Sequence, residues 1–560
     1  MIKRPDLGLR VLLVHANPFQ RVFPVPAYGL ERLRTAAAGT GAQIEILDPF
    51  LIAEDPVACV AEAAARLDPD VVGLGIRIIE DCIPIDRLDA PDDEPVDVAW
   101  FPPQVRDLRE AVRRSAPRAT LVLGGAGFSS CPQEFLSYLD VDLGIVGAGE
   151  DAFRALLERL DAGESLEGVP GLVHRGRDAT IAAYALAGGG VTGRDPLYAS
   201  STGFPVRTRI GCAMQCVYCT AANLGRRHSD MDVALALDEV AATVEEARIR
   251  GIAPVALFFA DDEFNLPDER HPLAVLRGIR DRGLARRLTW RAYFNPTPFS
   301  DRLAAAIAAT NGHASITVDS AADAVLKRSW KPFRRRHLDA LVSRVAEHRV
   351  STDLGLIFGL PGETEETIAE TAAFIRSLPA SIKVSYAAGA RVYPHTPLSR
   401  IAAEEPEHLV GAGDPTFFSP VLYSTPFRPR ELARRLEAEF ADLGHVQRMG
   451  AGYHRAATSL SRAYRVVLGH AGAAEWPAIL DEAQAGVDGT LPAEALAPIM
   501  QAAVWHSRYD LAAQACRRLL AVDLPPAMKR RRLRALRMLY RTMASLERRG
   551  IRPEVAAGSG

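Results

Sequence analysis

Three of the seven cysteines in this 560-residue chain lie within eight positions of one another. Cys212, Cys216 and Cys219 form a C-x3-C-x2-C motif, "CAMQCVYC". Thiolates are soft ligands that select zinc, copper(I) or iron–sulfur clusters. Zinc would need a fourth ligand such as His228, but the eight-residue gap before it fits common zinc spacings poorly. Three thiols on one short loop favour a 4Fe–4S cluster with one iron left open to a substrate or cofactor.

The bulk composition is that of an ordinary globular protein, with 48% hydrophobic residues, 24% charged residues and a net charge of −3. The length predicts about three to five domains. The near-neutral charge gives no reason to expect nucleic acid or an anionic membrane as a partner. We find no apolar run of about 18 residues, no signal peptide and too few cysteines for a disulfide scaffold. These features predict a cytoplasmic protein without a membrane span.

The N-terminal part of the chain repeats a strand–helix pattern. Residues 9 to about 165 hold five short apolar runs, among them "RVLLVHANP" and "ATLVLGGAG", separated by amphipathic helical stretches. Such alternation predicts a parallel, doubly wound Rossmann-like sheet. Ligands bind these sheets at the carboxyl ends of the strands. Glycine-rich loops follow the fourth and fifth strands, with Gly124 and Gly125 in the first and Gly147, Gly149 and Glu150 in the second.

Two further regions follow a glycine-rich segment at about 188–203, which is typical of a linker. Strands and helices alternate again from about 205 to 400, which predicts a parallel barrel or partial barrel. Past about 425 only helical spacing remains. The basic run at 529–537 is either a docking surface or, more simply, a solvated helix face. We therefore predict three domains, at 1–190, 191–405 and 406–560.

The cysteine motif, with Tyr218 before its last cysteine, resembles the signature of radical S-adenosylmethionine (SAM) enzymes. Three later motifs, "ADDEFN", "ITVDSAADAVLKR" and "GLIFGLPGET", follow in that family's order. The resemblance implies a partial (β/α)6 barrel in which the open iron of the cluster is chelated by SAM. It implies SAM contacts from Asp261, Asp262 and Glu263 to the methionine amino group, from Asp319 and Ser320 near the ribose, and from Gly359 near the adenine. Asp319 stands where the family more usually has Glu.

The first domain resembles the cobalamin-binding domain that precedes the barrel in one branch of this family. The resemblance implies that its strand-end loops contact the corrin and its tail. The D-x-H-x-x-G motif of mutases, whose histidine ligates cobalt, is absent. Arg77, after the third strand, is then expected under the corrin, with an ion pair to Glu80 or Asp81 as the alternative. The implied cobalamin-binding residues are His15, Gly124, Gly125, Ser129, Gly147, Gly149 and Glu150. Tyr218, in the cysteine motif, is a further cofactor-binding candidate.

The combined resemblance implies a cobalamin-dependent C-methyltransferase that moves a methyl group from SAM by way of cobalamin. Its three-part layout is similar to that of the family's tryptophan 2-C-methyltransferases, in which a carboxylate ligates the open iron; Glu263 is the candidate here. Tyr293 and Tyr393 are expected at the barrel mouth, with core packing as the alternative, and His395 is a weaker candidate base. The expected partners are a small-molecule or peptide-derived acceptor, with tryptophan as one candidate, and a low-potential electron donor. A radical cyclase and a non-catalytic corrinoid sensor remain as alternatives.

Overall fold

The computed structural model describes residues 8–21, 24–81, 99–177, 203–224, 228–252, 254–411, 416–449, 451–485 and 492–522, together with residues 88, 543, 544 and 546. Three features singled out in the sequence lie outside these ranges. They are Cys82, residues 188–202 of the predicted linker, and the basic run at 529–537.

The N-terminal region is a doubly wound sheet, as predicted. Its strands are β1 (Arg10–His15), β2 (Gln43–Leu47), β3 (Val71–Gly75), β4 (Thr120–Gly124), β5 (Leu143–Ile145) and β6 (Leu172–His174). They lie in the order β2-β1-β3-β4-β5-β6, and β6 alone is antiparallel to its neighbour within this sheet. The helices are α1 (Tyr28–Ala36), α2 (Pro49–Ile52), α3 (Pro56–Leu67), α4 (Pro102–Ser115), α5 (Ala126–Ser130), α6 (Pro132–Tyr138) and α7 (Glu150–Ala162).

The apolar sequence of β1 explains its central position. Leu12 and Val14 are buried in the core on one side of the sheet, whereas Val11 and Leu13 are buried in the core on the other. Successive side chains of a strand point to opposite faces, and helices cover both faces of this sheet. A strand in such a position must therefore be apolar at every residue.

The second sheet is a partial barrel. It is built from β7 (Phe204–Val206), β10 (Val255–Phe259), β11 (Leu288–Phe294), β12 (Gly312–Asp319), β13 (Ser351–Phe358), β14 (Lys383–Ala388) and β18 (Val446–Arg448). Each strand is parallel to its neighbours, in the order β18-β14-β13-β12-β11-β10-β7. Two smaller sheets accompany it, formed by β8 (Arg209–Gly211) with β9 (His228–Asp230), and by β15 (Ala390–Arg391), β16 (Leu409–Gly411) and β17 (Val421–Tyr423).

Helices surround the barrel and form the tail of the chain. The barrel helices are α8 (Val233–Ile249), α9 (Arg270–Asp281), α10 (Asp301–Ala309), α11 (Asp323–Arg328), α12 (Arg335–Glu347), α13 (Glu365–Ser377), α14 (Pro397–Glu404) and α15 (Pro429–Phe440). The tail holds α16 (Ala451–Val467), α17 (Trp476–Ala485), α18 (Pro492–Trp505) and α19 (Tyr509–Leu520). No helix in the described ranges is both long enough and apolar enough to span a membrane.

The barrel sheet continues beyond residue 405, the predicted end of that domain. β18 pairs with β14 after α15, so residues up to 448 complete the sheet. Three residues are too few to show a strand pattern in the sequence, which explains why only helices were expected there. The helical tail then packs on the first strand of the barrel, where the rings of Trp505 and Phe204 lie 4.7 Å apart. It also contacts the first domain, because the Ser461 hydroxyl donates to the carbonyl oxygen of Gln20 at 2.9 Å.

Candidate functional site

One cavity of about 700 Å³ lies between the carboxyl ends of the first sheet and the mouth of the barrel. Both domains supply its walls. It brings together twelve residues that the sequence indicated: His15, Arg77, Gly124, Gly125, Ser129, Gly147, Gly149, Glu150, Cys212, Asp261, Asp262 and Tyr293. The other predicted residues are not among those lining it: Cys216, Tyr218, Cys219, Glu263, Asp319, Ser320 and Gly359.

The wall from the first domain is rich in glycine. Gly125 has a φ of +101°, and a Cβ there would lie 2.3 Å from the carbonyl oxygen of Ile76. Glycine at this position is therefore required by the close approach of the neighbouring strand end. Ser129 ties the two glycine loops together, because its hydroxyl donates to the carbonyl oxygen of Gly125 at 2.8 Å and accepts from the Gly147 amide at 3.0 Å.

Two predicted side chains project from this wall. The His15 Nδ1 atom lies 2.9 Å from Asp48 Oδ2, which also accepts from Gln20 Nε2 at 2.6 Å. The Asp48 carboxylate therefore fixes the orientation of the buried His15 ring. Arg77 is exposed in the cavity, and its carbonyl oxygen accepts from the Gly127 amide at 2.9 Å.

Glu150 joins the two domains at the edge of the cavity. Its carboxylate accepts from Arg32 Nε at 2.8 Å and also pairs with Arg207, which belongs to the barrel region. Burial alone would raise the pKa of Glu150, but the charges and hydrogen bonds of the two arginines lower it to about 2. The Arg207 amide also donates to the Tyr28 hydroxyl at 2.9 Å, so Glu150 belongs to a compensated ion network between domains.

The cysteine loop lies opposite that wall. Burial raises the pKa of the Cys212 thiol to about 12 and that of Cys219 to about 11. Sulfur atoms around one zinc ion lie about 3.8 Å apart, given a Zn–S distance of about 2.3 Å. In the described ranges, only Asp301, Glu347 and His348 place three such ligand atoms all within 4.8 Å of one another. The three thiols are not such a group, because at least one pair of their sulfur atoms lies more than 4.8 Å apart.

Tyr218 belongs to a buried polar triad beside this loop. Its hydroxyl donates to Asp319 Oδ2 at 2.8 Å and accepts from Lys331 Nζ at 3.0 Å. Lys331 Nζ also lies 2.8 Å from Asp319 Oδ2. Although burial lowers the pKa of Lys331, the neighbouring Asp319 carboxylate and the Tyr218 and Cys216 side chains raise it well above its usual value. A buried cation thus stands next to the cysteine loop.

Three consecutive acids at the end of β10 have different surroundings. The Asp261 carboxylate accepts from the backbone amides of Thr208 and Arg209, each at 2.8 Å, and from the Thr208 hydroxyl at 2.6 Å. Burial raises its pKa to about 6. Asp262 has its side chain exposed in the cavity, where desolvation raises its pKa. Asp261 therefore holds the strand that leads into the cysteine loop, and Asp262 is the acid available to a ligand.

Glu263 is buried, and only one of its two carboxylate oxygens has a hydrogen-bond partner among the described residues. Its Oε1 atom accepts from the Thr317 hydroxyl at 2.8 Å, whereas the buried Oε2 atom has no hydrogen-bond partner among the described residues. Burial raises its pKa to about 7. Its charge in turn raises the pKa values of Cys212 and Cys216, so the carboxylate is electrostatically coupled to the cysteine loop.

The remaining predicted residues divide between the cavity and the packing around it. Tyr293 is 41% exposed at the cavity, with its ring edge-on to Phe258 at 5.7 Å. The buried Ser320 hydroxyl contacts the Thr371 hydroxyl at 3.0 Å and accepts from the Ala322 amide at 3.1 Å, so it stabilises the start of α11. Gly359 has a φ of +91°, and a Cβ there would lie 2.7 Å from the Ser424 hydroxyl.

Tyr393 and His395 contact the first domain. The Tyr393 hydroxyl donates to Glu80, and its ring packs against the core of that domain. His395 Nε2 lies 2.6 Å from Glu134 Oε1, on α6. The structure therefore places both side chains at the interface between the domains. Tyr393, which the sequence placed at the barrel mouth, is not among the residues that line the cavity.

Sequence reasoning missed Lys331, Thr317 and Arg207. Composition gave a signal for the first, because only five of the 66 basic residues are lysines, so a lysine is an unusual choice in this chain. Thr317 and Arg207 carry no such signal. Their roles depend on the carboxylates they meet, Glu263 and Glu150, which lie 54 and 57 positions away.

The comparisons with known proteins agree with this architecture. Residues 207–375 match the model of the Radical SAM superfamily. The tryptophan 2-C-methyltransferase of Streptomyces laurentii is 25% identical over 463 residues, which cover 70% of this chain and 74% of that protein.

Two solved structures share the fold. The radical SAM methyltransferase TsrM from Kitasatospora setae, with cobalamin and a 4Fe–4S cluster bound, has a TM-score of 0.66 at 22% identity, covering 85% of this chain and 98% of that one. The cobalamin-dependent radical SAM enzyme OxsB, with aqua-cobalamin bound, has a TM-score of 0.60 at 14% identity, covering 96% of this chain and 84% of that one. The predicted resemblance is thus confirmed: residues 207–375 match a radical SAM domain, which is the domain of an enzyme, and the chain shares the fold of TsrM and OxsB.

Proposed function

We propose that this chain is a cobalamin-dependent C-methyltransferase that uses SAM as its methyl donor. One observation supports this above all. A single cavity of about 700 Å³ is lined on one side by the glycine loops of a doubly wound sheet and on the other by Cys212, Asp262 and Tyr293 of the radical SAM domain. Two large cofactors that must exchange a group would meet in such a space. We divide the chain into the three predicted domains, with the barrel extended to residue 448.

The residues present fit the three cofactors. Cys212, Cys216 and Cys219 would hold a 4Fe–4S cluster, because three thiolates on one short loop can each bind one iron and leave the fourth iron open. The loops at Gly124 and Gly147 would hold cobalamin, because glycine lets the backbone approach a ligand closely, and Arg77 would lie under the corrin. Asp262 and Glu263 would bind SAM at the cluster. When bound, cobalamin supplies a cobalt that accepts a methyl group and passes it to carbon.

The protein's own groups then control protons and orientation. Glu263 has one oxygen held by Thr317 and the other without a described partner, so it can ligate the open iron or hold a proton. Arg77 lines the cavity and, being a cation, would contact bound cobalamin without serving as a metal ligand. Tyr293 presents an exposed ring and hydroxyl to the cavity, where it would orient the acceptor.

The acceptor in this proposal is a small aromatic molecule of the tryptophan kind, methylated at carbon 2 of the indole. The similarity to a tryptophan 2-C-methyltransferase supports this choice. A nucleophilic ring can accept a methyl group directly, and only a proton must then leave. The proposal includes a low-potential electron donor and a cytoplasmic location.

Anaerobic turnover with SAM, reductant and L-tryptophan tests the proposal. We expect S-adenosylhomocysteine and methyltryptophan in equal amounts, with little 5′-deoxyadenosine. Equal amounts of S-adenosylhomocysteine and 5′-deoxyadenosine would show that the reaction passes through a substrate radical. 5′-Deoxyadenosine alone would indicate a radical cyclase. Neither product, with SAM bound, would contradict the proposal and favour a corrinoid-binding protein without catalytic activity.

A further inference from the structure

A large aromatic side chain is exposed next to the cysteine loop, residues 212–219. Trp330 is 52% exposed, although tryptophan is highly buried on average, and its neighbours on both sides contact that loop. The Ser329 carbonyl oxygen accepts from the Val217 amide at 3.4 Å. The Lys331 Nζ atom donates to the Tyr218 hydroxyl at 3.0 Å. Trp330 is therefore the exposed middle residue of a segment that lies against the residues between the second and third cysteines.

The backbone at Trp330 has a conformation that suits glycine better. The residue follows the last turn of α11 with a φ of +58°, and its amide donates to the Lys327 carbonyl oxygen at 3.2 Å. The Lys331 amide donates to the Leu326 carbonyl oxygen at 2.9 Å, which completes a Schellman motif. Glycine or asparagine usually occupies this position, because a bulky side chain is strained at positive φ. Folding alone would favour glycine here, so the tryptophan indicates a function.

The surroundings of this tryptophan carry positive charge. The ten residues 327–336, which we call the basic surface, include no acid. Five of their cations are at least partly exposed: Lys327, Arg328, Arg334, Arg335 and Arg336. Two of these pair with carboxylates outside the surface, those of Glu405 and Asp339. Lys327 and Arg336 are exposed and form no ion pair with any residue that the structure describes.

A surface of this kind suits an acidic protein partner. Tryptophan and arginine are the side chains that contribute most to the stability of protein–protein interfaces. Uncompensated cations speed association with a partner of opposite charge. The same cations would oppose contact with a second copy of this chain through the same surface. An anionic membrane would also be attracted, but it would give no reason for the surface to lie against the cysteine loop.

We infer that the basic surface docks a small acidic protein that carries a low-potential one-electron centre. This inference rests on the proposed function, because it names the place where the electron donor of that reaction binds. One electron leaves the donor, which is oxidised, and enters the cluster held by the cysteine loop, which is reduced; no covalent bond forms or breaks. Trp330 supplies the apolar contact, and Lys327 and Arg336 attract carboxylates of the partner.

Calorimetric titration of the cluster- and cobalamin-loaded protein tests the inference, with a bacterial flavodoxin and a 2Fe–2S ferredoxin, both acidic, as probes. We expect Trp330→Gly to weaken the binding of the probe that wild-type protein binds by at least about 10-fold, the effect of losing a central interface side chain. The midpoint of thermal unfolding should equal or exceed that of wild type, because glycine removes the strain at positive φ. A residue that only supported the fold would not show this combination.

Electron transfer is measured separately, by anaerobic stopped-flow reduction of the cluster. Trp330→Gly should slow reduction by the reduced flavodoxin and leave reduction by titanium(III) citrate unchanged, because a small complex needs no docking surface. Equal slowing with both reductants would show that the residue acts on the cluster and would contradict the docking role. Trp330→Phe, which keeps an aromatic ring, should restore most of the rate.

The charges are tested by salt. The double variant Lys327→Ser/Arg336→Ser should weaken binding by about 2- to 30-fold at low ionic strength, the effect of two exposed ion pairs. The difference should disappear at about 1 M salt, where the screening length is about 3 Å. Arg286→Ser/Arg287→Ser is the matched control, because these exposed arginines precede β11 and lie at the opposite end of the barrel. It removes the same charge and should leave binding unchanged.

Three further results would overturn the inference. Neither probe could bind wild-type protein, Trp330→Gly could bind as tightly as wild type, or the control variant could lose as much affinity as the charge variant. Binding of phosphatidylglycerol vesicles in place of both proteins would assign the surface to a membrane. Failure of the methyltransferase proposal is recognised separately, because S-adenosylhomocysteine formation is measured with titanium(III) citrate as reductant. If that product forms while the binding pattern fails, only the docking surface is lost.

Discussion

The two domains that flank the central cavity each bury a carboxylate, with opposite effects on its pKa. On the side of the first domain, Glu150 is held between Arg32 and Arg207, and its pKa is lowered to about 2. On the barrel side, Glu263 has one hydroxyl partner, and burial raises its pKa to about 7. Both side chains are buried. The difference is therefore one of charge compensation and not of depth.

This contrast separates structural groups from reactive ones. A compensated ion pair is a fixed part of the scaffold, whereas an uncompensated carboxylate beside a ligand site can take up a proton, a metal or a cation. In the proposed function, the first wall would hold its ligand by shape, through glycine loops that Ser129 ties together. The barrel side carries the groups whose pKa values burial raises, which are the three thiols, Asp262 and Glu263, and of these Cys212 and Asp262 line the cavity itself.

Removing the reactive groups of the barrel side should leave ligand binding by the first domain intact. We expect the triple substitution of Cys212, Cys216 and Cys219 by Ala to abolish iron binding and all SAM-dependent products, because no other described group replaces three thiolates. Cobalamin binding should persist, since the glycine loops are untouched. Iron analysis and visible absorption after anaerobic reconstitution measure both.

Cys59→Ala is the matched control for this experiment, because Cys59 lies in the first domain and is partly exposed. It should retain full iron content. Zinc in place of iron in the anaerobically purified wild-type protein would contradict the iron–sulfur cluster. It would also contradict the assignment of the reactive groups to the barrel side of the cavity.

Breaking the compensated network should have a large effect on stability instead. Glu150→Ala leaves the buried Arg32 with only its 3.8 Å contact to Glu239 and removes the carboxylate that it shares with the partly buried Arg207. Removing one partner of a buried pair costs about 3–5 kcal/mol. Because the folded-state pKa of Glu150 is depressed, its contribution is present above about pH 4.5 and is lost as the pH falls toward 2. Chemical denaturation at neutral and acidic pH measures this contribution.

Asp151→Ala provides the comparison, since Asp151 is the next residue and forms an exposed pair with Arg154 at 2.9 Å. Exposed pairs contribute about 0.2–1 kcal/mol. Equal losses in the free energy of unfolding for the two variants would show that Glu150 is not a buried link between the domains.

The fold was more predictable from the sequence than the site was. The five parallel strands of the first sheet appear where the apolar runs predicted them, because buried strands of doubly wound sheets are apolar throughout. The three-residue strand β18 was missed, since it takes its conformation from pairing with β14. Hydrophobic periodicity and composition predict local secondary structure well, but they predict the pairing of distant strands poorly.

Within the site, the thiols were identified by their spacing, but the states of the acids were not. Asp261, Asp262 and Glu263 are consecutive, yet their surroundings differ. The Asp261 carboxylate accepts from backbone amides, and Asp262 is exposed in the cavity. Glu263 is buried, with one carboxylate oxygen that has no hydrogen-bond partner among the described residues. Those differences arise from Thr208 and Thr317, which are distant in sequence. A motif names the residue types, and only the fold assigns their partners.

The raised pKa of Glu263 should give the smallest measured effect, a dependence of stability on pH that is opposite in sign to that of Glu150. The folded cluster-free protein holds the Glu263 proton up to about pH 7, whereas an unfolded glutamate loses it near 4.5. Its stabilising contribution is therefore complete below about pH 4.5 and is lost as the pH rises toward 7, by up to about 3 kcal/mol.

Glu263→Gln should flatten that part of the profile, while the exposed Glu347→Gln should leave it unchanged. Asp261 and Glu363, whose pKa values burial also raises, contribute equally to every variant and leave a residual slope. Unfolding of the cluster-free proteins between about pH 5 and pH 8 measures the difference. If the wild-type and Glu263→Gln profiles were parallel, Glu263 would be compensated like Glu150, and the contrast between the two walls would no longer hold.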